Sequence, residues 1–403
     1  MSSISAAMAN YHRKTACNVA TFVGHGPIRV STVGMRDVPL RGERLDEAKR
    51  LVEESIEQGA VGFATGLSYF PHSYSDTEEL VELCRTVASR DSVYVTHIRS
   101  HNRERSYGGG GIKEALEIGR QSGVKVHIEH YRTHSEEAGR VDDLVADVDL
   151  AKAQGVDVTL ECYPYPVGSS FPMSHFEGPF HEGGPDAIMK RLSDPEEKKR
   201  YVDMLAGHVF ADTCWTWIGS ERNRHLEGMY WGDVARDRGV SVGEMVMDVM
   251  REENLACGHR GVPPQSVRIW RQQEADQMEL LSRDDYMVGS DAIPVGGFPH
   301  PRAWGAFPRV IGRLRRRHGI PLEQIVQRVT QNPARRFQLS GRGTIKLGNF
   351  ADLVLFDPNI VNDVSSFEDP KQPPVGIPFV IVNGQVAVDH GHCSGVLAGE
   401  AIL

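Results

Sequence analysis

The chain has 403 residues, 40% of them hydrophobic and 25% charged, with a formal net charge of −9 at pH 7. This composition is typical of a soluble globular protein with one large domain and a smaller one, and its negative charge argues against a nucleic-acid partner. No apolar stretch is long enough to span a membrane, and Met1–Asn10 lacks the pattern of a signal peptide. The six cysteines are irregularly spaced without a CxxC pair, which predicts reduced thiols and a cytoplasmic location.

Apolar segments alternate with amphipathic segments through the first part of the chain, with a period of roughly 30 residues. Strands are predicted within 18–30, 59–69, 93–97, 124–130 and 156–165, and helices over 46–58, 77–89, 112–122 and 142–154. This alternation is the pattern of repeated βαβ units around a parallel sheet, so the fold class predicted is α/β.

The alternation stops after Tyr165. About 120 residues separate that strand from the next apolar segment, which ends at Asp291. The interval predicts an insertion over about 171–285, rich in aromatic residues, of the kind that forms a lid or wall. From Gly343 the pattern changes to short strands, and Asn383-Gly384 predicts a hairpin turn. We therefore expect a barrel domain over 1–340 and a small β module over 341–403.

Three predicted strands end in residues that can bind a metal ion: His97, His130 and Asp291. The carboxyl ends of parallel barrel strands meet at one mouth, so these side chains are expected to converge there. Imidazole and carboxylate groups are ligands of catalytic zinc. Zinc activates water and polarises a carbonyl group, and a nearby carboxylate can carry the proton to a leaving amine. The pattern therefore predicts metal-assisted hydrolysis of an amide or similar bond, with Asp291 as both ligand and catalytic group.

Simpler interpretations of these residues remain open. A histidine at a strand end is more often a structural hydrogen-bonding group, and Asp291 is also well suited to capping a turn. The pair His390 and His392 follows a hairpin strand and reads as a turn. The candidates for substrate binding around the mouth are Tyr69, Arg99, Arg132, Tyr163 and Ser169. An arginine is suited to a carboxylate, although a salt bridge explains either arginine equally well.

The motifs, taken together, resemble the N-acyl-D-amino-acid deacylase (D-aminoacylase) family of the amidohydrolase superfamily. The matching segments follow the family's order along nearly the whole chain: NVATFVGHGPIR, GAVGFATGLSY, THIR at 96–99, IEHYR at 128–132, ECYPYPVGSS at 161–170, VGSDA at 288–292, HPRAWGAFPRV at 300–310, NPARRF at 332–337 and RGTIKLGNFADLVLFDP at 342–358.

The resemblance implies a (β/α)8-type TIM barrel with a small β-sandwich module. It also implies zinc bound by His97 and His130, Asp291 as general acid/base, and a substrate carboxylate held by Arg132, Tyr163 and Ser169. The substrate would be a small N-acyl amino acid. Tyr131 and Arg132 stand where the family usually has His and Lys, and Ser100-His101 follow THIR in place of Asp-Glu.

Only six strand–helix units are counted, whereas a closed barrel of this type has eight. The resemblance implies that the first two strands, with the family's HxH pair and zinc-binding Cys, are missing from this sequence. Unpaired strand edges would then invite self-association or pairing with a missing segment. Three functions therefore compete: deacylation of N-acyl-D-amino acids, another amidohydrolase reaction such as hydantoin or dihydropyrimidine ring opening, and an inactive truncated homologue.

Overall fold

The computed structural model describes residues 3–206 and 210–403. The first half of the chain alternates strands and helices, as the sequence predicts. Its elements are α1 (Ile4–Met8), β1 (Val23–Gly24), α2 (His25–Thr32), α3 (Glu43–Glu57), β2 (Phe63–Gly66), α4 (Thr77–Ser89), β3 (Val93–His97), α5 (Gly111–Ser122), β4 (Lys125–Ile128), α6 (Val141–Ala153) and β5 (Val158–Cys162).

The middle of the chain forms a compact insertion. Its elements are β6 (Ser169–Ser170), α7 (Gly178–His181), α8 (Pro185–Ser193), α9 (Pro195–Leu205), β7 (Cys214–Ile218), α10 (Trp231–Arg238), α11 (Val242–Glu252) and β8 (Cys257–Arg260). The strands form an antiparallel sheet in the order β6-β8-β7, and Trp215 and Trp231 are fully buried in a separate hydrophobic core.

The remainder returns to the first sheet and then forms the C-terminal module. Its elements are α12 (Val267–Ser282), β9 (Tyr286–Val288), α13 (Arg302–Arg309), a π-helical turn (Val310–Leu314), α14 (Arg315–His318), α15 (Leu322–Val329), α16 (Gln331–Arg336), β10 (Leu353–Leu355), β11 (Phe379–Val382), β12 (Gln385–Asp389) and β13 (His392–Cys393).

The main sheet is parallel and has the strand order β1-β2-β3-β4-β5-β9. One row across it pairs Val95 with His127 and His127 with Thr159. Residues on the other face, such as Tyr94, Ile128 and Leu160, are fully buried in the main hydrophobic core with the helices. Because side chains alternate along a strand, His97 and Glu161 lie on the same face as Val95, His127 and Thr159, which is the inside of the curved sheet.

The helices form where the sequence places amphipathic stretches with suitable caps. Asp76 caps α4 by accepting a hydrogen bond from the Glu79 amide, and acidic residues occupy the first turn of that helix. Ser241 and Glu244 form a reciprocal capping box at the start of α11. The Asp76 cap explains why the helix predicted over 77–89 begins where the sequence places it.

Three sequence expectations need correction. The segment 18–30 is mostly not a strand, because β1 is short and helix α2 begins at His25. The predicted loop after Asp291 contains helix α13, which Pro301 precedes. The insertion ends before 285, because α12 lies within the predicted range yet its buried Met278, Leu280 and Leu281 belong to the main core.

The C-terminal sheet is antiparallel, in the order β10-β11-β12-β13. Asn383 and Gly384 join β11 to β12 with φ angles of +48° and +80°, which confirms the predicted hairpin. Val19 pairs with Ala401, so the end of the chain lies against the beginning of the main sheet. Among the described residues, no helix combines the length and apolar character needed to cross a lipid bilayer.

Candidate active site

The three predicted site residues lie at the carboxyl ends of their strands. His97 is the last residue of β3, while His130 and Asp291 follow β4 and β9 within three residues. Both of the latter adopt left-handed backbone conformations, with φ of +36° at His130 and +47° at Asp291. Such conformations cost about 1–3 kcal/mol in non-glycine residues and cluster at functional sites. The fold therefore stabilises a strained geometry that aims both side chains into the mouth.

His97 and His130 contact each other directly. The Nδ1 atom of His97 lies 2.7 Å from the Nε2 atom of His130, and the rings meet nearly edge to face. Burial lowers the pKa of His97 to about 3 and that of His130 to about 4. Both imidazoles are therefore neutral at physiological pH, the form in which a histidine binds a metal ion.

Three carboxyl groups share the same space. Burial, together with the neighbouring carboxylates, raises the pKa of Glu129 to about 8 and that of Glu161 to about 7. Burial also raises the pKa of Asp291, while the Arg302 guanidinium opposes that rise. The Nη1 atom of Arg302 lies 2.8 Å from Oδ2 of Asp291. The mouth thus combines neutral imidazoles with carboxyl groups that can hold a proton near neutral pH.

Two arginines flank the Tyr163 ring beside these carboxylates. The guanidinium carbons of Arg132 and Arg302 lie 4.9 Å and 4.5 Å from the ring centroid. Arg132 donates a 3.0 Å hydrogen bond to the Tyr163 hydroxyl, and Arg302 donates to the Ser169 carbonyl. The buried Nε atoms of Arg132 and Arg302 have no hydrogen-bond partner among the described residues. These free donors make a cationic cradle for an anionic group.

A cavity of about 850 Å³ lies between the sheet and the insertion, and all of these residues line it except Glu161 and Arg302. The insertion contributes Ser170, His175 and His259 to its wall, and the residues after β3 and β4 contribute Ser100, His101 and His134. The cavity is large enough for a small organic substrate. Its floor carries the hydrolytic groups, and Arg132 lines its side.

Comparison with known proteins decides the family. The chain is 31% identical over 389 residues to D-aminoacylase of Alcaligenes xylosoxydans xylosoxydans, a match that covers 96% of this chain and 70% of the relative. The chain belongs to the D-aminoacylase family of amidohydrolases. The family model described as "Amidohydrolase family" matches residues 262–388.

Other relatives of this D-aminoacylase-family chain agree with the assignment. It is 29% identical to N-acyl-D-glutamate deacylase of the same bacterium, covering 91% of this chain and 66% of that protein, just under two thirds. The solved N-acyl-D-glutamate deacylase of Bordetella bronchiseptica, complexed with zinc and a phosphonate inhibitor, superposes with a TM-score of 0.79 at 28% identity over 99% of this chain and 75% of that one. A solved D-aminoacylase gives a TM-score of 0.78 at 28% identity, covering 99% and 74%.

These matches confirm the predicted α/β fold of the TIM-barrel class and the resemblance to D-aminoacylases. The predicted site residues also fall into one cavity, since His97, His130, Asp291, Tyr69, Arg99, Arg132, Tyr163 and Ser169 all line it. The roles assigned to those residues stay predictions. Tyr69 packs its ring 4.9 Å from that of His97, and burial raises the pKa of its hydroxyl.

Two of the predicted substrate-binding groups already have partners. Arg99 donates hydrogen bonds to Glu114 at 2.7 Å and to the Ser73 carbonyl at 3.0 Å, and its side chain is fully buried. The Ser169 hydroxyl donates to the His259 carbonyl at 2.8 Å. Arg99 and Ser169 are thus engaged within the protein, and their roles in substrate binding stay predictions, as do those of Arg132 and Tyr163.

Sequence reasoning missed Arg302, Glu129 and Glu161. Arg302 lies within the HPRAWG segment, which matched the family without receiving a role. Glu129 directly precedes His130, and Glu161 opens the ECYPY segment at the end of β5. A carboxylate at the end of a barrel strand was a usable signal in both cases.

The fit of zinc to these residues is partial. The neutral His97 and His130 nitrogens are suitable donors, and the facing Nδ1 and Nε2 atoms lie 2.7 Å apart. Among residues 3–206 and 210–403, however, no three His, Cys, Asp or Glu side chains are arranged as a metal-binding group. Asp291, predicted as the third ligand, is bound to Arg302 instead. The described residues thus supply two zinc ligands, whereas a catalytic zinc site ordinarily uses three.

Proposed function

We propose that this chain hydrolyses the amide bond of N-acyl-D-amino acids, releasing a carboxylate and the free D-amino acid. The observation that supports this most strongly is the convergence of His97, His130 and Asp291 in one cavity beside two arginines with unused donors. Membership of the D-aminoacylase family, and the similarity to two D-amino-acid deacylases, support the D-configured substrate.

Zinc is the metal that we propose for this reaction, with His97 and His130 as protein ligands. When bound, zinc supplies a Lewis acid that polarises a carbonyl group and lowers the pKa of water. The zinc complex of the Bordetella bronchiseptica relative supports this choice.

The chain's own residues then account for substrate binding. The carboxylate of an N-acyl amino acid is assigned to the cradle of Arg132 and Arg302, because Arg132 lines the cavity and both guanidinium groups lie on the Tyr163 ring. Each of them retains an Nε–H donor without a partner among the described residues. Tyr163 lies between them and fixes their positions through its ring and hydroxyl. A substrate held there places its amide toward Asp291, since Arg302 belongs to the cradle and also contacts the Asp291 carboxylate.

Asp291 is proposed to move the proton. Its carboxylate accepts a proton from the attacking water and delivers it to the nitrogen of the leaving amino group, as the C–N bond breaks. Burial raises the pKa of Asp291 and so favours the protonated form, while Arg302 opposes that rise by favouring the ionised form. The products are one carboxylic acid and one amine, which accounts for all atoms of water and amide.

We place the enzyme in the cytoplasm, since all six cysteines are free thiols in the structure. Its partner is the small-molecule substrate, and self-association through the edge strands β1 and β9 remains part of the proposal. We also retain the domain limits of 1–340 and 341–403 as a prediction.

The decisive experiment is a hydrolysis assay of the full chain supplied with zinc. N-acetyl-D-leucine, N-acetyl-D-glutamate and their L-enantiomers would be compared with hydantoin and dihydrouracil. We expect turnover of at least one N-acetyl-D-amino acid, and a loss of about 10²–10⁴-fold in Asp291→Asn. Ring opening without deacylation would favour the alternative amidohydrolase reaction, and no turnover with any substrate would favour an inactive homologue.

A further inference from the structure

A second cavity, of about 770 Å³, lies on the far side of strand β8 from the active site. His259 lines the active-site cavity, whereas the next residue, Arg260, lines the second one. Neighbouring side chains of a strand point to opposite faces, so β8 is the partition between the two cavities. The second cavity takes no part in the proposed hydrolysis.

Helix α12 forms one wall of this cavity. Val267, Trp270, Arg271 and Glu274 all line it, and their spacing places them on one face of the helix. The segment after Asp363 forms the opposite wall, where the Phe367 ring meets the Trp270 ring edge to face at 6.1 Å. The walls therefore offer aromatic surface to a ligand.

The inner end of the cavity is a closed network of ion pairs. Arg309 contacts both Glu274 and Asp363, Arg313 donates to Asp363 at 2.9 Å, and Arg317 donates to Glu274 at 3.0 Å. The two carboxylates of this network are thus ion-paired with three arginines, while Oδ1 of Asp363 has no hydrogen-bond partner among the described residues. They leave no negative charge free to balance any other cation of the cavity.

Arg260 is a buried cation of this cavity that lacks a counter-charge within the described chain. It is only 7% exposed, and its partners are the Tyr230 hydroxyl at 3.4 Å and the Cys214 thiol. The Phe367 and Tyr230 rings lie 4.7 Å and 5.5 Å from its guanidinium carbon. None of the described carboxylates forms an ion pair with it. Burying an unpaired charge is costly, so this arrangement calls for an anion from outside the chain.

We propose that this second cavity binds a small aromatic carboxylate. Its carboxylate pairs with the guanidinium edge of Arg260, whose faces are already occupied by rings, and its aromatic ring packs against Trp270 and Phe367. Arg271 stands at the exposed rim and adds attraction for the anion. Five arginines and three carboxylates line the cavity, so its overall charge also favours an anion.

The test uses 4-iodobenzoate, which joins a carboxylate to an aromatic ring and carries a heavy atom. Calorimetric titration of the full chain should detect binding that weakens at least about tenfold in Arg260→Gln. Arg271→Gln, at an exposed position, should weaken it by roughly threefold without affecting the fold. Arg85→Gln is the matched control, since Arg85 is an exposed arginine on α4 outside the cavity lining.

Crystals soaked in 4-iodobenzoate should show an anomalous iodine peak in the second cavity, beside Trp270 and Phe367. Thermal melting would show whether Arg260→Gln is folded, and Arg271→Gln keeps the test valid if it is not. Unchanged affinity in both cavity variants, or iodine only in the active-site cavity, would overturn the proposal. Binding is measured without turnover, so the result is independent of the deacylase proposal.

Discussion

The Nδ1 atom of His97 lies 2.7 Å from the Nε2 atom of His130, although 33 residues separate the two in the chain. Both side chains are buried and neutral. One imidazole donates its N–H to the other, so the two rings share one proton, and the second nitrogen of the donor ring keeps a lone pair for a metal ion. Adjacent strands β3 and β4 fix this distance through their parallel register.

Removing either imidazole should abolish zinc binding. With His97→Ala or His130→Ala, one donor is left, which is too few to hold zinc through dialysis. We expect elemental analysis to show about one zinc per chain in the wild type and background levels in both variants. His225→Ala is the control, because His225 is exposed on the insertion. Equal zinc content in all four proteins would show that the pair is only structural.

Arg302 should act on substrate affinity through its fork of donors. Arg302→Lys keeps the charge but loses bidentate hydrogen bonding to a carboxylate, so KM should rise about tenfold or more. Because Arg302 also contacts Asp291, kcat should fall as well, although by a smaller factor than KM rises. Steady-state kinetics on N-acetyl-D-amino acids measure both, with the exposed Arg44→Lys as control. A fall in kcat at constant KM would assign Arg302 to proton transfer alone.

The sequence predicts the architecture well because each signal is local. The alternation of strands and helices and the Asn383-Gly384 turn depend on neighbouring residues, and the structure confirms them. Strand-end residues His97, His130 and Asp291 could be found because parallel strands bring their carboxyl ends together. The partnership of Arg302 with Asp291 and of Arg99 with Glu114 could not, since each depends on how a loop folds back over the mouth.

The insertion shows the same limit. The sequence predicts a lid or wall there, whereas Trp215 and Trp231 show that the insertion also has a hydrophobic core of its own. The placement of α12 against the main sheet, however, depends on packing between residues that are distant in the chain. The sequence pattern of α12 alone fits the core of the insertion as well as it fits the core of the main sheet.

Gly289 should be irreplaceable because of its neighbour on β5. A Cβ atom built on Gly289 would lie 1.9 Å from Oε2 of Glu161, far inside van der Waals contact. Gly289→Ala must therefore displace a buried carboxylate or the backbone that leads to Asp291, at a cost of about 1–3 kcal/mol. Thermal melting and urea unfolding measure this loss.

A double-mutant cycle separates the two sources of that cost. In a Glu161→Ala background the clashing carboxylate is gone, so adding Gly289→Ala should be nearly neutral for stability. An equal loss in both backgrounds would mean that the backbone at Gly289, rather than contact with Glu161, sets the requirement for glycine.

Glu79 should be a major source of stability near the beginning of the sheet. Its carboxylate is fully buried, accepts hydrogen bonds from His25 at 2.8 Å and Arg29 at 2.6 Å, and also accepts one from the Leu40 amide. Glu79→Gln leaves the Arg29 charge buried without a counter-charge, so the free energy of unfolding should fall by about 3–5 kcal/mol. Glu78→Gln is the matched control, because Glu78 is the next residue on α4 and is 72% exposed.

The effect of Glu79→Gln should also depend on pH. Burial alone would raise the pKa of Glu79, but the hydrogen bonds and charges of His25 and Arg29 lower it to about 2. A carboxyl group whose pKa is lower in the folded state stabilises the fold above its unfolded pKa of about 4.3, and that contribution disappears as pH falls toward 2. Urea unfolding between pH 7 and pH 3 should therefore show the gap between wild type and Glu79→Gln shrinking below about pH 4.3.

His25 adds a second acid sensitivity, which Glu79 moderates because its carboxylate raises the pKa of that imidazole against the effect of burial. Burial lowers the pKa of His25, so the folded state keeps it neutral while the unfolded chain binds a proton below about pH 6.5. Stability should therefore fall with pH in both proteins before Glu79 begins to titrate. A gap between the two proteins that stays constant down to pH 3 would contradict the lowered pKa of Glu79, and would attribute the loss in Glu79→Gln to packing alone.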